Sequence, residues 1–153
     1  MCLSQNLCWV CGENLGKKKT LIGGPMSLFN RMWGDLPCHP DCSDFSAKYC
    51  PHMSMGAKYR TNDKPMTMIE HQGMIQQNPT AYCQVTCERI VAFQRGPTVL
   101  VAPSGNSFDI QWWCKGEKIT SNEACDIWTP DPQMVKEAPK IYEAVKDYIR
   151  KLP

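Results

Sequence analysis

Apolar and polar residues alternate along two stretches in the second half of the chain, at positions 81–88 and 108–115. A period of two is typical of strands with one buried face. Between them, residues 98–102 form a short, fully apolar run that suits a central strand. Residues 90–93 are interpreted as a continuation of the first strand after a bend. The pattern therefore predicts a three-stranded antiparallel β-meander.

The end of the chain has the period of a helix instead. Asp131 is a good N-cap and Pro132 fits the first helical position. Pro139 lies inside the helical pattern, so it should kink the helix or mark its real start. The apolar stripe comprises Val135, Ala138, Ile141, Val145, Tyr148, Ile149 and Leu152.

Two shorter helices are predicted ahead of this one. Thr120 and Glu123 fit a capping box, which begins a helix that runs to about Ile127. Residues 54–79 are predicted to be rich in loops, with a short helix at 68–75. The methionines of this segment are interpreted as adaptable core filler.

The first third of the chain predicts a knuckle, a hairpin and a helix. Residues 1–16 form the knuckle, and the apolar runs 20–22 and 26–29 flank a glycine-rich turn that predicts the hairpin. Pro40 suits the first turn of the helix, which Pro51 ends. The apolar side of this helix is expected to carry Cys42, Phe45 and Tyr49.

Composition limits the classes of protein that the chain can belong to. With 153 residues and 42% apolar content, it is predicted to fold as one compact unit with two parts. These are a metal-binding subdomain at 1–60, and the meander with the C-terminal helix at 61–153. A net charge of +2 is too small to indicate nucleic-acid or membrane binding by bulk electrostatics.

Ten cysteines are many for a chain of this length. They could form a disulfide scaffold, but no apolar run of signal-peptide length follows Met1, which predicts a reducing, cytoplasmic location. Clustered cysteines in such a compartment more often bind metal.

The cysteine spacing predicts one zinc site. Cys8 and Cys11 form a C-x2-C pair, and after a gap of about 27 residues Cys42 ends either an H-x2-C or a C-x3-C pair. The fourth ligand is therefore His39 or Cys38. Four protein ligands leave no open position, so Zn²⁺ is expected to be structural. With the order knuckle, hairpin and helix, this predicts an α+β fold with an N-terminal treble-clef-like zinc finger.

Several motifs resemble a family of small uncharacterised proteins of phages and bacteria. They are CWVCG at 8–12, LG at 15–16, GPM at 24–26, NR at 30–31, PCHPDC at 37–42, CP at 50–51 and WWCKGE at 112–117. In that family the position matching Cys38 can be Ser while the one matching His39 stays His, which favours His39 as the fourth ligand. The chain departs from the pattern at His52, where the family has an aromatic residue, and around Gly34-Asp35.

The resemblance implies a zinc-bound protein with no assigned activity. If the chain is a phage accessory protein, it would work in the host cytoplasm and its natural partner would be a host protein.

Three classes of function follow. A zinc-stabilised module that acts by protein–protein contact is favoured, because the metal site is closed and no catalytic residues are recognised. Trp113, on the polar face of its strand, is then either covered by a helix or part of a contact surface. A nucleic-acid-binding finger is the alternative, based on a more basic N-terminal part. A metal-dependent nuclease or other hydrolase is the least favoured, and no catalytic residue or organic cofactor is assigned.

Overall fold

Strands and short helices alternate along the chain and give an α+β fold with antiparallel sheets, as the sequence predicts. The structure is a computed structural model that describes residues 2–54, 79–105, 107–129, 135–136 and 138–153. The elements are β1 (Lys19–Gly23), α1 (Pro25–Asn30), α2 (Pro40–Tyr49), α3 (Pro51–Ser54), β2 (Tyr82–Cys87), β3 (Ile90–Arg95), β4 (Thr98–Pro103), β5 (Asp109–Cys114), β6 (Glu117–Ile119), α4 (Ser121–Ile127) and α5 (Pro139–Arg150).

Four of the strands form one sheet in the order β1-β2-β5-β6. Its register places Gly23, Cys83, Trp112 and Ile119 in one row across the sheet. Because side chains alternate between the two faces, every second residue from this row points to the same side. That face forms the main core with α1, α4 and α5. Its buried members include Leu21, Val85, Trp112, Ala124, Val145 and Ile149.

The opposite face of this sheet is more polar. Thr20 and Thr86 share a hydrogen bond of 2.8 Å between their hydroxyl groups there. The segment that contains α2 and α3 lies over this face. Asp44 in α2 forms an ion pair of 3.3 Å with Lys118 in β6. Trp113 is therefore covered, with 5% of its surface exposed, and the alternative of an exposed contact surface at Trp113 is wrong.

The hairpin predicted in the first third is wrong. Pro25 takes the first position of α1, and Gly24 is its N-cap in an extended conformation. Proline at this position fits a helix because its fixed φ is helical and the missing N–H needs no partner. The second apolar run is therefore helical, and β1 pairs with β2 far along the chain instead.

The three predicted strands are present, but their pairing is richer than a simple meander. Residues 90–93 do not continue the first strand; they belong to β3, which pairs with β4 in a separate two-stranded sheet. Gly96 has a φ of +57°, which allows a tight turn between them. The strands β2 and β5 are neighbours in the four-stranded sheet, so the β3–β4 hairpin is inserted along the chain between two strands that pair directly.

The predicted helix ends agree with the structure where it describes them. Thr120 Oγ1 accepts a hydrogen bond of 3.2 Å from the Glu123 N–H, and the Glu123 carboxylate accepts one of 2.8 Å from the Thr120 N–H. Pro139 begins α5 and does not kink a longer helix. The predicted helix at 68–75 and the predicted start at Asp131 lie outside the described residues. Among the described helices, none has both the length and the apolar character needed to cross a membrane.

Gly23 offers a test of the packing between the sheet and α1. A Cβ atom there would lie 2.6 Å from Trp33 Nε1 and 2.7 Å from Ser27 Cβ. Gly23→Ala should therefore lower the free energy of unfolding by about 1–3 kcal/mol, the usual effect of overpacking. The control is Gly34→Ala, because nothing lies within 4 Å of its added Cβ. Urea unfolding at saturating zinc measures both, and equal effects would contradict the packing described here.

Candidate metal centre

The first donor pair sits on a knuckle that is closed by backbone hydrogen bonds. Leu7 and Asn14 form an antiparallel bridge, and the Cys8 N–H donates to the Glu13 carbonyl at 2.7 Å. Gly12 has a φ of +78°, a conformation that glycine adopts without strain. Its N–H donates to the Cys8 carbonyl at 3.0 Å. The turn therefore brings Cys11 back beside Cys8.

Backbone pairing also places the second donor pair beside the knuckle. The Trp9 N–H donates to the Pro37 carbonyl at 3.0 Å. Thr20 and Cys38 exchange two backbone hydrogen bonds of 2.8 and 3.0 Å, which extend the pairing at the edge of β1. The chain then enters α2 with His39 as the N-cap, and this fixes where the first turn of the helix begins.

The four residues favoured as ligands come together. The donor atoms of Cys8, Cys11, His39 and Cys42 all lie within 4.8 Å of one another. His39 Nδ1 lies 3.4 Å from Cys11 Sγ and 3.7 Å from Cys42 Sγ. Zinc–sulfur and zinc–nitrogen bonds of ordinary length, at a tetrahedral angle, require about 3.6 Å between such atoms. The cluster can therefore hold a metal ion with little rearrangement.

The orientation of the histidine ring is set by the knuckle. His39 Nε2 lies 3.0 Å from the Asn14 carbonyl oxygen, which can only accept a hydrogen bond. The proton of the neutral ring is therefore expected on Nε2, which leaves the lone pair of Nδ1 facing the thiols. The same contact raises the pKa of His39, because the carbonyl favours the protonated ring.

The electrostatics of the cluster favour one thiolate and oppose a second. Burial acts to raise the pKa of Cys8, but hydrogen bonds from the backbone N–H groups of Cys11, His39 and Val10 lower it to about 6. Burial and the neighbouring Cys11 and Cys8 sulfurs raise the pKa of Cys42 to about 12. Adjacent thiolates repel each other, so a divalent cation is the natural partner of this donor set.

Cys38, the other candidate for the fourth ligand, is directed elsewhere. Its side chain is buried, and its thiol donates to the Thr20 carbonyl at 3.5 Å. Burial, and next the charge of Cys8, raise the pKa of Cys38 to about 12, which is also the pKa of Cys42, so the position of the sulfur and not its acidity separates the two. Its sulfur is not among the four donor atoms that lie within 4.8 Å of one another. The geometry thus favours His39 over Cys38.

Sequence reasoning missed the role of Asn14 in this site. Its contribution comes from a backbone carbonyl, which any residue would provide, so no side-chain pattern could have indicated it. Its side chain does take part in a second contact, since Asn6 Nδ2 donates to Asn14 Oδ1 at 3.3 Å. The role of Asn14 follows from the shape of the knuckle alone.

Comparison of the chain with family models, with curated proteins and with solved structures finds no match. The family resemblance seen in the sequence motifs therefore stays a prediction.

The choice between His39 and Cys38 can be measured directly. We expect about one zinc per chain by native mass spectrometry, with occupancy strongly reduced in His39→Ala, because one of four donors is lost. The matched control, Cys38→Ala, should keep the zinc and lose only some stability, since it removes a buried thiol. Full occupancy in His39→Ala, together with loss in Cys38→Ala, would reverse the assignment.

Metal binding should release protons and weaken in acid. The Cys42 thiol, with a pKa of about 12, is protonated at pH 7 until a metal binds. The Cys8 thiolate is lost as the pH falls through about 6. Zinc affinity should therefore fall more steeply with pH below about 6 than above it, since protons compete for the same atoms.

Calorimetric titration at pH 7 in two buffers with different ionisation enthalpies tests this coupling. The difference in observed heat should correspond to at least one released proton per zinc. A pH-independent affinity between pH 5 and 8 would show that the donors are not thiolates of this cluster.

Proposed function

We propose that the protein is a zinc-stabilised binding protein that acts by contact with another protein. The observation that carries the proposal is the closed donor set. Three sulfurs and one imidazole nitrogen would fill the tetrahedral positions of Zn²⁺, which leaves none for a water or a substrate. A site of this kind holds the fold together and carries out no chemistry of its own.

Exposed apolar side chains flank this centre. Trp9 and Val10 lie on the knuckle between its two cysteines, with 58% and 43% of their surface exposed. Phe45 and Tyr49 follow Cys42 by three and seven residues, so they share its face of α2. Their exposures are 61% and 59%, and their ring centroids lie 5.0 Å apart. We call these four residues the finger surface.

Aromatic residues at this exposure are typical of surfaces that bind other proteins. The finger surface combines two neighbouring rings on a helix, tilted by 47° to each other, with an indole on the knuckle. It is suited to an apolar segment of a partner, because contact with that segment would remove these side chains from water.

Local charge favours a protein over a nucleic acid as the partner. Three thiolates and a neutral imidazole on Zn²⁺ leave a net charge of about −1. Asp41 adds negative charge in the first turn of α2. Of the nearby lysines, Lys17 pairs with Glu88 at 2.9 Å and Lys48 lies 5.5 Å above the Tyr49 ring. The negative metal centre and Asp41 would offset part of the attraction of these lysines for a phosphate backbone.

The family resemblance suggests which partner to look for. If the chain is a phage accessory protein, the finger surface would bind a host protein in the host cytoplasm. Binding through the finger surface does not depend on where the partner comes from, so the surface and the source of the partner can be tested separately.

The finger surface is tested with the variant Trp9→Ser/Phe45→Asp. It should abolish capture of a partner from bacterial lysate while zinc content stays at one per chain, because both side chains are exposed and neither is a donor. The matched control Ile141→Asp places the same charge on an equally apolar position of α5, exposed at 42%, and should capture the partner normally. A protein captured by wild type and control must also form a stoichiometric complex after purification.

The nucleic-acid alternative has its own measurement. Binding of labelled single-stranded DNA and RNA oligonucleotides is titrated at several salt concentrations, since phosphate contacts weaken steeply with salt. Tight, salt-sensitive binding that survives Trp9→Ser/Phe45→Asp would overturn the proposed function, as would equal capture by that variant and wild type.

A further inference from the structure

We propose that the metal centre is a redox switch, in which a peroxide oxidises Cys11 and Cys8 to a disulfide and the metal is released as a result. The exposure, the spacing and the backbone contacts of these two cysteines support it. The switch itself requires only the metal centre. Its effect on the finger surface rests on the proposed function.

Cys11 is the exposed donor residue of the centre. Cys8 is 1% exposed and Cys42 is half-buried, whereas Cys11 lies at the surface of the knuckle. Zinc keeps a coordinated thiol deprotonated, and the thiolate is the form that peroxides oxidise. Because susceptibility follows both thiolate character and exposure, an oxidant in solution attacks Cys11 first.

Cys8 supplies the second sulfur of the disulfide. C-x2-C is the spacing at which redox-active cysteine pairs close a disulfide within one turn. Here the Gly12 N–H donates to the Cys8 carbonyl and the Cys8 N–H to the Glu13 carbonyl, so the backbone of the knuckle keeps the two cysteines close together. The third sulfur, that of Cys42, lies on α2, so its distance from Cys11 depends on contacts between the knuckle and the helix.

The oxidation balances with one hydrogen peroxide and two protons. The Cys11 thiolate attacks a peroxide oxygen, the O–O bond breaks, and the departing hydroxide takes up a proton to give water. The Cys8 thiolate then attacks the sulfur of the Cys11 sulfenic acid, which forms the S–S bond and expels a second hydroxide that is protonated to water. Two thiolates thus lose two electrons, and the peroxide is reduced to two waters.

The disulfide removes two of the four donors, because the thiolate is the form of cysteine that binds metal. His39 and Cys42 are then the only donors left, too few for a tetrahedral zinc site. Oxidation also changes Cys8 Sγ, which accepts a hydrogen bond of 3.4 Å from the His39 N–H and so joins the knuckle to α2. The two parts of the finger surface would therefore be held together less firmly in the oxidised protein.

The switch is tested on the zinc-loaded full chain with two matched variants. Cys11→His and Cys42→His each leave two thiolates and two imidazoles, a donor set that structural zinc sites use. Hydrogen peroxide should release zinc from wild type and from Cys42→His, and at least about tenfold more slowly from Cys11→His, which lacks the exposed thiol. The control Cys50→Ser replaces a cysteine outside the donor group and should release zinc like wild type. A chromogenic chelator follows the released zinc.

Peptide mapping after alkylation locates the disulfide in the wild-type chain. We expect a Cys8–Cys11 disulfide that accumulates in step with zinc release, and a dithiol reductant followed by zinc should restore the loaded protein. The mapping decides the proposal even where a histidine variant binds zinc poorly.

The proposal is overturned if peroxide leaves zinc bound to wild type, or if the disulfide joins Cys11 to Cys42. Equal rates of zinc release from Cys11→His and Cys42→His would also overturn it. None of these measurements involves a partner, so their failure is distinct from a failure of the finger surface to bind one.

Discussion

The two backbone hydrogen bonds between Thr20 and Cys38 connect the metal cluster to the rest of the molecule. On one side of Thr20, β1 is paired with β2 and so belongs to the four-stranded sheet. On the other side, Cys38 is followed at once by His39 and the helix that carries Cys42. Each such hydrogen bond contributes only about 1 kcal/mol net. Their importance is geometric, because they fix the position of His39 and Cys42 relative to the edge of the sheet at β1.

The knuckle must then meet that second pair, and three hydrogen bonds bring them together. The Trp9 N–H donates to the Pro37 carbonyl, the His39 N–H donates to Cys8 Sγ at 3.4 Å, and His39 Nε2 bonds with the Asn14 carbonyl. A few such hydrogen bonds hold the knuckle only weakly against chain entropy. A metal ion that bound all four donors would hold both ends of this arrangement at once. Such binding stabilises the folded state by mass action, because the unfolded chain does not present the preformed site.

Local chemistry explains which parts of this structure could be predicted from the sequence. The C-x2-C pair, the capping box at Thr120 and the start of α2 at Pro40 depend on residues a few positions apart, and the structure has all three features. The failures have a common origin in contacts distant along the chain. The run after Gly24 looked like a strand because it is apolar, yet Pro25 begins a helix that packs on the core face of the sheet. The pairing of β2 with β5 cannot be read from a local pattern, because the residues of the β3–β4 hairpin between them are also typical of strands. The choice between Cys38 and His39 was likewise decided by a distant residue: Thr20 accepts from both the backbone and the thiol of Cys38.

The finger surface and the β3–β4 hairpin differ in what their geometry depends on. The finger surface rests on the knuckle and the first turns of α2, so its shape requires the donor cluster to be held together. The β3–β4 hairpin is attached through Trp33, whose backbone pairs with Val101 and whose side chain is 1% exposed in the main core. Its geometry is therefore set by core packing, which zinc does not touch. Loss of the metal would therefore act first on the knuckle and the start of α2, while the β3–β4 hairpin keeps its attachment through Trp33.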